Sequence, residues 1–267
     1  MTSLKSLFLE KKRTQPLAIF MAGSAGAGKT SFRKEFIDPF GDFTVLNIDD
    51  EYEPLLKKAG LPLDFRKYTD PEQLSTAAKA MGTAQKIHRS KYSSAISNLD
   101  HLVIDGTGGS VNEVKKKKDE LESLGYKTMM ALIFVPPDVS LQRNIARGEK
   151  GGRTLMPSII LRTWSSLFSN IKEYKSLFGK NLVVYKAYSE EDIVFPDFDP
   201  THPEVKKAFF DPFKVKGKPK SKKEKEISLA KNQELNRKIK SQLSQISTIK
   251  FDTPEQIKQK INQFVNA

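Results

Sequence analysis

The sequence predicts an α/β protein whose core is a parallel sheet of about five strands flanked by helices. Two observations carry this prediction. Short β-rich runs recur through the first 190 residues, and a stretch long enough for a crossover helix separates each run from the next. The first run leads directly into a glycine-rich loop. The predicted strands are Leu17–Ala22, Phe43–Ile48, Leu102–Asp105, Met129–Val135 and Leu182–Ala187.

Helices are predicted after these strands from capping residues and helical spacing. One begins at Lys29, directly after the glycine-rich loop, and another begins near Asp138. In a third segment, the lysines at 115–118 point away from the apolar stripe, so we interpret them as a solvated helix face. The remaining predicted helices are Pro71–Leu99, Asn112–Leu124, Pro157–Phe178, Lys225–Ile246 and Pro254–Val265.

The run Gly23-x-x-x-x-Gly28-Lys29-Thr30 has the form of a phosphate-binding P-loop. Its glycines let backbone N–H groups turn towards phosphate oxygens, and the helix that follows directs its positive end at the same anion. We predict that the loop binds ATP, with Lys29 on the β- and γ-phosphates and Thr30 on Mg²⁺. The predicted nucleotide-binding residues are Gly23, Ser24, Ala25, Gly26, Ala27, Gly28, Lys29, Thr30 and Ser31, together with Arg143.

An acidic cluster follows the second predicted strand. Asn47-x-Asp49 falls at the carboxyl edge of that strand, where open α/β sheets bind their ligands. Phosphoryl transfer needs a group that holds the acceptor hydroxyl in line, and Asp49 is the predicted catalytic residue for this role. Asp50 and Glu51 are close competitors, and capping of the next helix is the alternative interpretation of all three.

A second acid ends the third predicted strand. Asp105 is followed by Gly106, Thr107 and Gly108, and its position next to the P-loop strand is typical of a Walker-B acid. We predict that Asp105 holds Mg²⁺. Binding of substrate by Asp105 and Thr107 is a second interpretation, and a structural Asp-Gly turn is a third.

Three arginines, Arg143, Arg147 and Arg153, occur in one glycine-bearing segment. Arginine side chains neutralise charge on a transferring phosphoryl group, and a mobile lid excludes water from the site. We therefore predict a lid over the nucleotide in which Arg147 and Arg153 are catalytic. Surface arginines are the alternative interpretation.

The composition divides the chain into a main body and a basic C-terminal part. Of the net charge of +13, a balance of +9 falls after residue 202, where 16 Lys and Arg stand against 7 Asp and Glu. Prolines at 196, 200, 203 and 212 interrupt regular structure before a lysine-rich stretch. The predicted organisation is an N-terminal helix at 1–15, a P-loop domain at 16–190, a Pro/Lys-rich linker at 191–224 and a basic helical extension at 225–267.

The composition also excludes several classes of function. Cysteine is absent, which removes disulfides and thiolate chemistry and indicates a reducing, cytoplasmic compartment. His88, His101 and His202 lie far apart with no metal-ligand spacing, so no zinc or iron site is predicted. No apolar run approaches the roughly 20 residues that a transmembrane helix needs, so we expect no membrane crossing.

Taken together, these segments resemble the zeta-toxin-like P-loop kinases, which include relatives of polynucleotide 5′-hydroxyl kinase and many bacteriophage proteins. The likeness spans about 19–187. It rests on GSAGAGKT, on NID at 47–49, on VIDGTG at 103–108, on the strand GYKTMMALIFVP and on the arginines of RNIARGEKGGRTLMP.

The resemblance implies a kinase that uses ATP and Mg²⁺, in which Asp49 deprotonates the acceptor hydroxyl and Arg147 and Arg153 are lid arginines. Two positions depart from the toxin pattern. Asn47 stands where the toxins have an acid and polynucleotide kinase has asparagine, and Asp105 stands where the toxins commonly have glutamate. The toxins phosphorylate UDP-N-acetylglucosamine, and both departures fall on the substrate side of the pocket.

Three functions stay open at this point. The first is a kinase of a small anionic substrate such as a nucleotide sugar, which Lys57, Lys58, Arg66 and Lys67 favour. The second is a polynucleotide 5′-hydroxyl kinase, and the third is a nucleotide-gated module that binds nucleic acid or protein. The basic segment 214–240 favours nucleic acid, but interleaved glutamates and few aromatic residues argue against base stacking there. The sequence identifies no antitoxin partner.

Overall fold

The sheet has five parallel strands, as predicted, in the order β2-β3-β1-β4-β5. The computed structural model describes residues 15–213 and 221–266, so the helix predicted at 1–15 lies outside the described residues apart from Gln15. The central strand is completely buried and pairs with β3 on one side and β4 on the other. The strands are β1 (Leu17–Ala22), β2 (Thr44–Leu46), β3 (Leu102–Gly106), β4 (Lys127–Phe134) and β5 (Leu182–Lys186).

Helices cover both faces of this sheet, and several single 3-10 turns join the elements. Because the strand order reverses at β1, the loop after this strand opens at the carboxyl edge, where parallel α/β sheets bind ligands. The described helices are α1 (Lys29–Phe36), α2 (Asp49–Lys58), α3 (Pro71–Ser97), α4 (Val111–Ser123), α5 (Pro137–Glu149), α6 (Pro157–Phe178), α7 (Pro203–Phe209), α8 (Lys222–Leu243) and α9 (Pro254–Asn266).

The second strand differs from the prediction, because it ends at Leu46 rather than Ile48 and is followed at once by α2. No bounds were predicted for this helix, which entered only through the alternative interpretation that the acids at 49–51 cap the next helix. Pro54 lies inside it. The sequence does contain a signal for the two ends of this helix. Acids occupy the first turn and lysines the last, and these charges are opposite in sign to the two ends of the helix dipole. Asp49 is therefore the first residue of a helix.

The sheet separates two large apolar cores, and a third, smaller core lies beyond its carboxyl edge. Alternate residues of β1 supply the two large cores, with Phe20 on one face and Ile19 on the other. The indole Nε1 of the buried Trp164 on α6 donates to the carbonyl oxygen of Val135 at 2.8 Å. The third core joins α2 to α3 through Tyr52, Leu56, Phe65, Tyr68 and Ala84.

The segment predicted as a linker, 191–224, is packed against the main core in its described part. Phe198, Val205 and Phe209 are buried there, the last two on the short helix α7. The carboxylate of the buried Asp138 accepts hydrogen bonds from the backbone N–H groups of residues 194 and 195, at 2.9 and 3.2 Å. Aromatic residues between the prolines anchor this segment, and composition alone hides them. Residues 214–220 lie outside the described residues.

The basic extension predicted at 225–267 is helical and docks on both faces of the sheet. On one face, α8 buries Ile239 and Gln242, and the amide of Gln242 accepts from Ser165 Oγ at 2.7 Å and donates to the carbonyl oxygen of Ser165 at 2.9 Å. On the other face, α9 buries Ile257, Ile261 and Phe264. Within the described ranges, no helix is both long enough and apolar enough to cross a membrane.

Candidate active site

The glycine-rich loop after β1 depends on glycine for its shape. Gly26 and Gly28 have φ angles of 74° and 89°, in the left-handed region that other residues rarely adopt. A Cβ atom added at Gly23 would lie 2.8 Å from the carbonyl oxygen of Ile133, and one added at Gly26 would lie 2.9 Å from Arg143 Cβ. The three predicted phosphate-loop glycines thus stand where a larger residue would be strained, would be crowded, or both.

Helix α5 supports this loop from outside. Ser140 Oγ donates to the carbonyl oxygen of Ala25 at 2.5 Å and lies 3.1 Å from Ser24 Oγ. The guanidinium of Arg143 donates to the carbonyl oxygens of Gly26 and Ala187, at 3.4 and 3.0 Å. Arg143 therefore contacts the back of the loop through backbone oxygens, a position that holds the loop in shape.

Lys29 and Asp105 meet at the carboxyl edge of the sheet. Lys29 Nζ donates to the carbonyl oxygen of Gly23 at 3.0 Å and lies 3.6 Å from Asp105 Oδ1 on β3. Burial raises the pKa of Asp105, the charge of Lys29 opposes the rise, and the negative charge of nearby Asp49 adds to it. Asp105 Oδ1 is buried and accepts no hydrogen bond from the described residues.

The other predicted residues of this edge are more exposed. Thr30 and Ser31 lie in the first turn of α1 with exposed side chains. Thr107 is also exposed, and its Oγ1 accepts a hydrogen bond from the backbone N–H of Gly109 at 3.3 Å. Gly108, between Thr107 and Gly109, is buried and has a φ of 67°. A Cβ atom at Gly108 would lie 2.7 Å from Ala22 Cβ. The turn after β3 is therefore closely packed against β1.

The predicted catalytic acid begins α2. Its backbone N–H donates to Asn47 Oδ1 at 3.1 Å, so the asparagine side chain caps the start of the helix. Arg153 Nη2 donates to both carboxylate oxygens of Asp49, at 2.6 and 2.7 Å. The Arg153 side chain is only 8% exposed, and its guanidinium lies over the ring of Tyr52, 5.4 Å from the centroid. Asp49 is thus held in place by a buried arginine.

The two acids that compete with Asp49 have different surroundings. Glu51 is nearly buried, and its Oε1 forms an ion pair with Lys91 Nζ at 2.9 Å. Asp50 is exposed, and partial burial raises its pKa, as do the charges of Glu51 and Asp49, while Lys91 opposes the rise. Of the three acids, Asp49 is the one that an arginine of the predicted lid contacts.

The arginine-bearing segment is docked against neighbouring elements. Phe65 N–H donates to Thr154 Oγ1 at 2.8 Å, and the side chain of Asn144 exchanges two hydrogen bonds with the backbone of Leu155, at 2.8 and 3.0 Å. A Cβ atom at Gly148 would lie 2.5 Å from Thr154 Cγ2. These contacts direct the side chains of Arg147 and Arg153 towards α2 rather than towards the phosphate loop.

The three predicted arginines therefore separate into two groups. Arg143 contacts the phosphate loop, whereas Arg153 contacts Asp49 and Arg147 Nη2 donates to Glu53 Oε1 at 2.9 Å. Arg147 is exposed and Arg153 is buried, although they are six positions apart. Sequence spacing predicted one cluster of arginines. It did not predict that two of the three would form hydrogen bonds with carboxylates of α2.

A parallel sheet in this strand order, a glycine-rich loop after its central strand and acids at its carboxyl edge define a P-loop protein of the kinase type. The family model described as Zeta toxin matches residues 3–197. The chain belongs to the Zeta toxin family, which confirms the family predicted from the sequence motifs.

Individual proteins are similar to the chain in sequence or in fold. The chain is 30% identical over 154 residues to Toxin PezT of Streptococcus pneumoniae serotype 4, a match that covers 55% of this chain and 56% of that protein. A solved complex of AvrRxo1-ORF1 and ORF2 with ATP has 13% identity and a TM-score of 0.52, covering 96% of this chain and 82% of its own. At that identity, the second comparison shows the fold alone.

Proposed function

We propose that this protein transfers the γ-phosphate of ATP to a hydroxyl group of a small anionic substrate such as a nucleotide sugar. One observation carries the proposal: Asp105 stands between the two halves of the site. Its carboxylate lies 3.6 Å from Lys29 on the phosphate loop, and its pKa is raised by burial and by the nearby charge of Asp49 on α2. A phosphate-binding loop and an acid suited to orient a hydroxyl thus share one edge of the sheet.

On the phosphate side, the residues present fit ATP and Mg²⁺. The left-handed backbone of the glycines at 26 and 28 shapes a loop that can follow phosphate oxygens. We propose that Lys29 binds the transferred phosphate, and that Thr30 and Asp105, whose buried Oδ1 accepts no hydrogen bond from the described residues, hold Mg²⁺. When bound, the ion would neutralise negative charge on the phosphate oxygens.

On the acceptor side, we propose that Asp49 accepts the proton of the acceptor hydroxyl. Each carboxylate oxygen has two lone pairs, so both can accept from Arg153 while one still receives the hydroxyl. Arg153 then fixes the orientation of the base, a role that Asn47 supports by capping α2. Arg147 is exposed and contacts Glu53 of α2. We propose that Arg147 neutralises charge that develops during transfer.

The proposal is tested by incubating the protein with γ-labelled ATP and Mg²⁺ against nucleotide sugars, including UDP-N-acetylglucosamine, and against 5′-hydroxyl oligonucleotides. Lys29→Ala should abolish transfer to any acceptor. Asp49→Asn keeps a hydrogen-bonding group for Arg153 but cannot accept the proton, so transfer should fall by about 10²–10⁴-fold while ATP affinity is retained. The matched control is Asp50→Asn, which removes an exposed acid one residue away.

Each outcome separates the three functions that the sequence leaves open. Labelled nucleotide sugar that requires Lys29 and Asp49 supports the proposal, and labelled oligonucleotide ends identify a polynucleotide kinase instead. If the protein binds ATP but labels neither the nucleotide sugars nor the oligonucleotides, the result favours the nucleotide-gated module. Equal losses in Asp49→Asn and Asp50→Asn would contradict the role proposed for Asp49.

A further inference from the structure

A cavity of about 180 Å³ lies beside Asp105, between α3, α4 and the carboxyl ends of β1 and β3. Its charged and titratable lining residues are His88, Asp105, Glu113 and Lys117. The floor is apolar and includes Phe20, Ile104 and Met130. Because Asp105 forms part of its wall, the cavity is adjacent to the proposed phosphotransfer site.

Lys117 distinguishes this cavity from the rest of the α4 surface. In the lysine run, Lys115 pairs with Asp119 and Lys118 pairs with Glu122, and Lys116 is exposed. Lys117 instead turns inward over the ring of Tyr92, 4.8 Å from its centroid, and makes no ion pair with any described carboxylate. The sequence-based interpretation of 115–118 as a solvated face is therefore wrong for Lys117, and also for Lys118, whose side chain is 13% exposed and lies over the ring of Phe178. Burial lowers the pKa of Lys117, although the charges of Glu120 and Glu113 oppose the shift.

His88 supplies a second polar group to the same wall. Its Nδ1 is buried and has no hydrogen-bond partner among the described residues. Burial lowers the pKa of His88, and the positive charge of Lys117 lowers it further, so the two side chains interact electrostatically. A buried polar atom without a partner costs about 1–3 kcal/mol. A ligand that approaches both groups would remove this cost and supply the counter-charge that Lys117 lacks.

The start of α4 adds to the positive potential of the cavity. Ser110 caps this helix by accepting from the backbone N–H of Glu113 at 3.3 Å, and the first turn borders the cavity. A helix N-terminus carries a partial positive charge. Of the two acids in the wall, Asp105 is neutralised in part by Lys29 at 3.6 Å, and Glu113 is exposed to solvent. Asp105 Oδ1 also lacks a hydrogen-bond partner among the described residues but is proposed to hold Mg²⁺, so the groups left for a ligand of this cavity are Lys117 and His88 Nδ1.

The residues that the sequence favoured for anion binding are less suited to it. Arg66 is held by Asp64, with Nη2 2.7 Å from Oδ2, and a second carboxylate at Glu149 lies 3.7 Å away. Lys57, Lys58 and Lys67 are exposed at the ends of short helical segments. None of the three is directed into a cavity that the structure describes beside Asp105.

We propose that His88 and Lys117 bind an anionic group of the acceptor, such as a phosphate, and so select the acceptor whose hydroxyl Asp49 orients. This inference rests on the proposed function. The size of the cavity limits what it can hold, since pockets for whole drug-sized ligands measure about 300–1,000 Å³. At about 180 Å³, the cavity suits one phosphate-bearing part of a substrate rather than an entire nucleotide.

The test measures binding without any phosphotransfer. The phosphate loop is first saturated with a non-hydrolysable ATP analogue, and inorganic pyrophosphate is then titrated in a calorimeter. Lys117→Met keeps the length and the apolar stem of the side chain but removes its charge, so pyrophosphate should bind at least about tenfold more weakly. Lys117→Arg should retain most of the affinity. Lys116→Met, from the same lysine run, is the matched control and should change nothing.

His88→Gln gives a second, independent variant with an expected loss of about threefold to tenfold. Affinity for the ATP analogue should stay the same in all variants and the melting temperature should not fall, which separates a binding role from a structural one. Equal pyrophosphate affinity in Lys117→Met and the wild type would overturn the inference, as would the absence of pyrophosphate binding to the wild type. Retained binding in a protein that labels no acceptor would instead count against the proposed function alone.

Discussion

The phosphate loop and the acidic helix α2 lie at the same edge of the sheet but are built differently. The conformation of the loop depends on its own glycines, and Lys29 Nζ contacts the carbonyl oxygen of Gly23 within the same motif, although Ser140 and Arg143 of α5 also support the loop from outside. The position of Asp49 on α2 depends instead on Arg153, which is 104 residues away in the sequence. A local motif therefore predicts the first region, whereas only the folded chain brings together the parts of the second.

The two regions also differ in what a substitution should remove. In the phosphate loop the critical property is backbone conformation, which a side chain as small as alanine would disturb. On α2 the critical property is a hydrogen-bonded ion pair between side chains, so a change of charge matters more than a change of size. Substitutions of matched size can therefore test each region separately.

The largest effect is expected in the phosphate loop. Gly26→Ala places a Cβ atom at a φ of 74°, 2.9 Å from Arg143 Cβ, so the loop must shift away from its shape. We expect ATP affinity to fall by at least about tenfold, because a left-handed conformation costs an alanine about 1–2 kcal/mol and the crowding adds to it. Isothermal titration with ATP measures this loss.

Gly60→Ala is the matched control for Gly26→Ala. Gly60 has a φ of 70°, but a Cβ atom there meets nothing within 4 Å. The same backbone strain should lower the free energy of unfolding by about 1 kcal/mol and leave ATP affinity unchanged. If the two variants bind ATP equally well, the loop does not require glycine at 26 and its local character is refuted.

An intermediate effect is expected at the acidic helix. Arg153→Met preserves the contact with Tyr52 but leaves the partly buried carboxylate of Asp49 without its donor. The free energy of unfolding should fall by about 1–3 kcal/mol, the cost of an unsatisfied buried polar group. Urea unfolding monitored by circular dichroism gives this value.

Arg147→Met tests whether burial decides the effect. Arg147 also donates to a carboxylate of α2, but its side chain is 44% exposed, so the change should be less than about 0.5 kcal/mol. If both substitutions destabilise the protein equally, the buried pair is not what holds Asp49. That result would remove the contrast between the two regions.

The same contrast explains which parts of the fold could be predicted. The five strands and the glycine-rich loop follow from apolar runs and a local motif, and the structure confirms their order along the chain. Helix α2 was expected only as the next helix in the alternative interpretation of the acids at 49–51. It contains Pro54, and tertiary packing through Tyr52 and Leu56 stabilises it. Helix α7 was missed because prolines surround it, although Val205 and Phe209 are buried in the main core.

For the candidate site, sequence position gave the residues but not their partners. The pairing of Asp49 with Arg153 and the inward turn of Lys117 depend on packing between distant segments. Spacing along one segment had predicted a single arginine cluster and a uniform lysine face. The structure separates Arg143 from Arg153, and Lys117 from Lys116, through burial that no single segment encodes.

The smallest effect is expected at an exposed long-range pair, Asp199 with Lys240 of α8, whose Oδ2 and Nζ atoms lie 2.6 Å apart. Burial alone would raise the pKa of Asp199, but hydrogen bonds from Lys240 and Thr201 outweigh it and lower the pKa to about 2. A carboxyl with a lowered pKa in the folded state stabilises the protein above its unfolded pKa. The contribution is therefore full above about pH 5 and disappears as the pH falls towards 2.

Lys240→Met should reduce the free energy of unfolding by less than about 1 kcal/mol at pH 6, because half of the lysine side chain is exposed and solvent screens the pair. The difference from the wild type should shrink as the pH is lowered from about 4 towards 2, since Asp199 takes up its proton in the unfolded chain first and in the folded protein only near pH 2. Urea midpoints at several pH values measure it, with Lys238→Met, another exposed lysine of α8, as the control. A difference that stays constant with pH would mean that the pair acts through packing rather than charge. An exposed long-range contact would then stabilise the protein as packing does. That result would contradict the expectation, set by Arg153 and Arg147, that burial decides how much such a contact stabilises the protein.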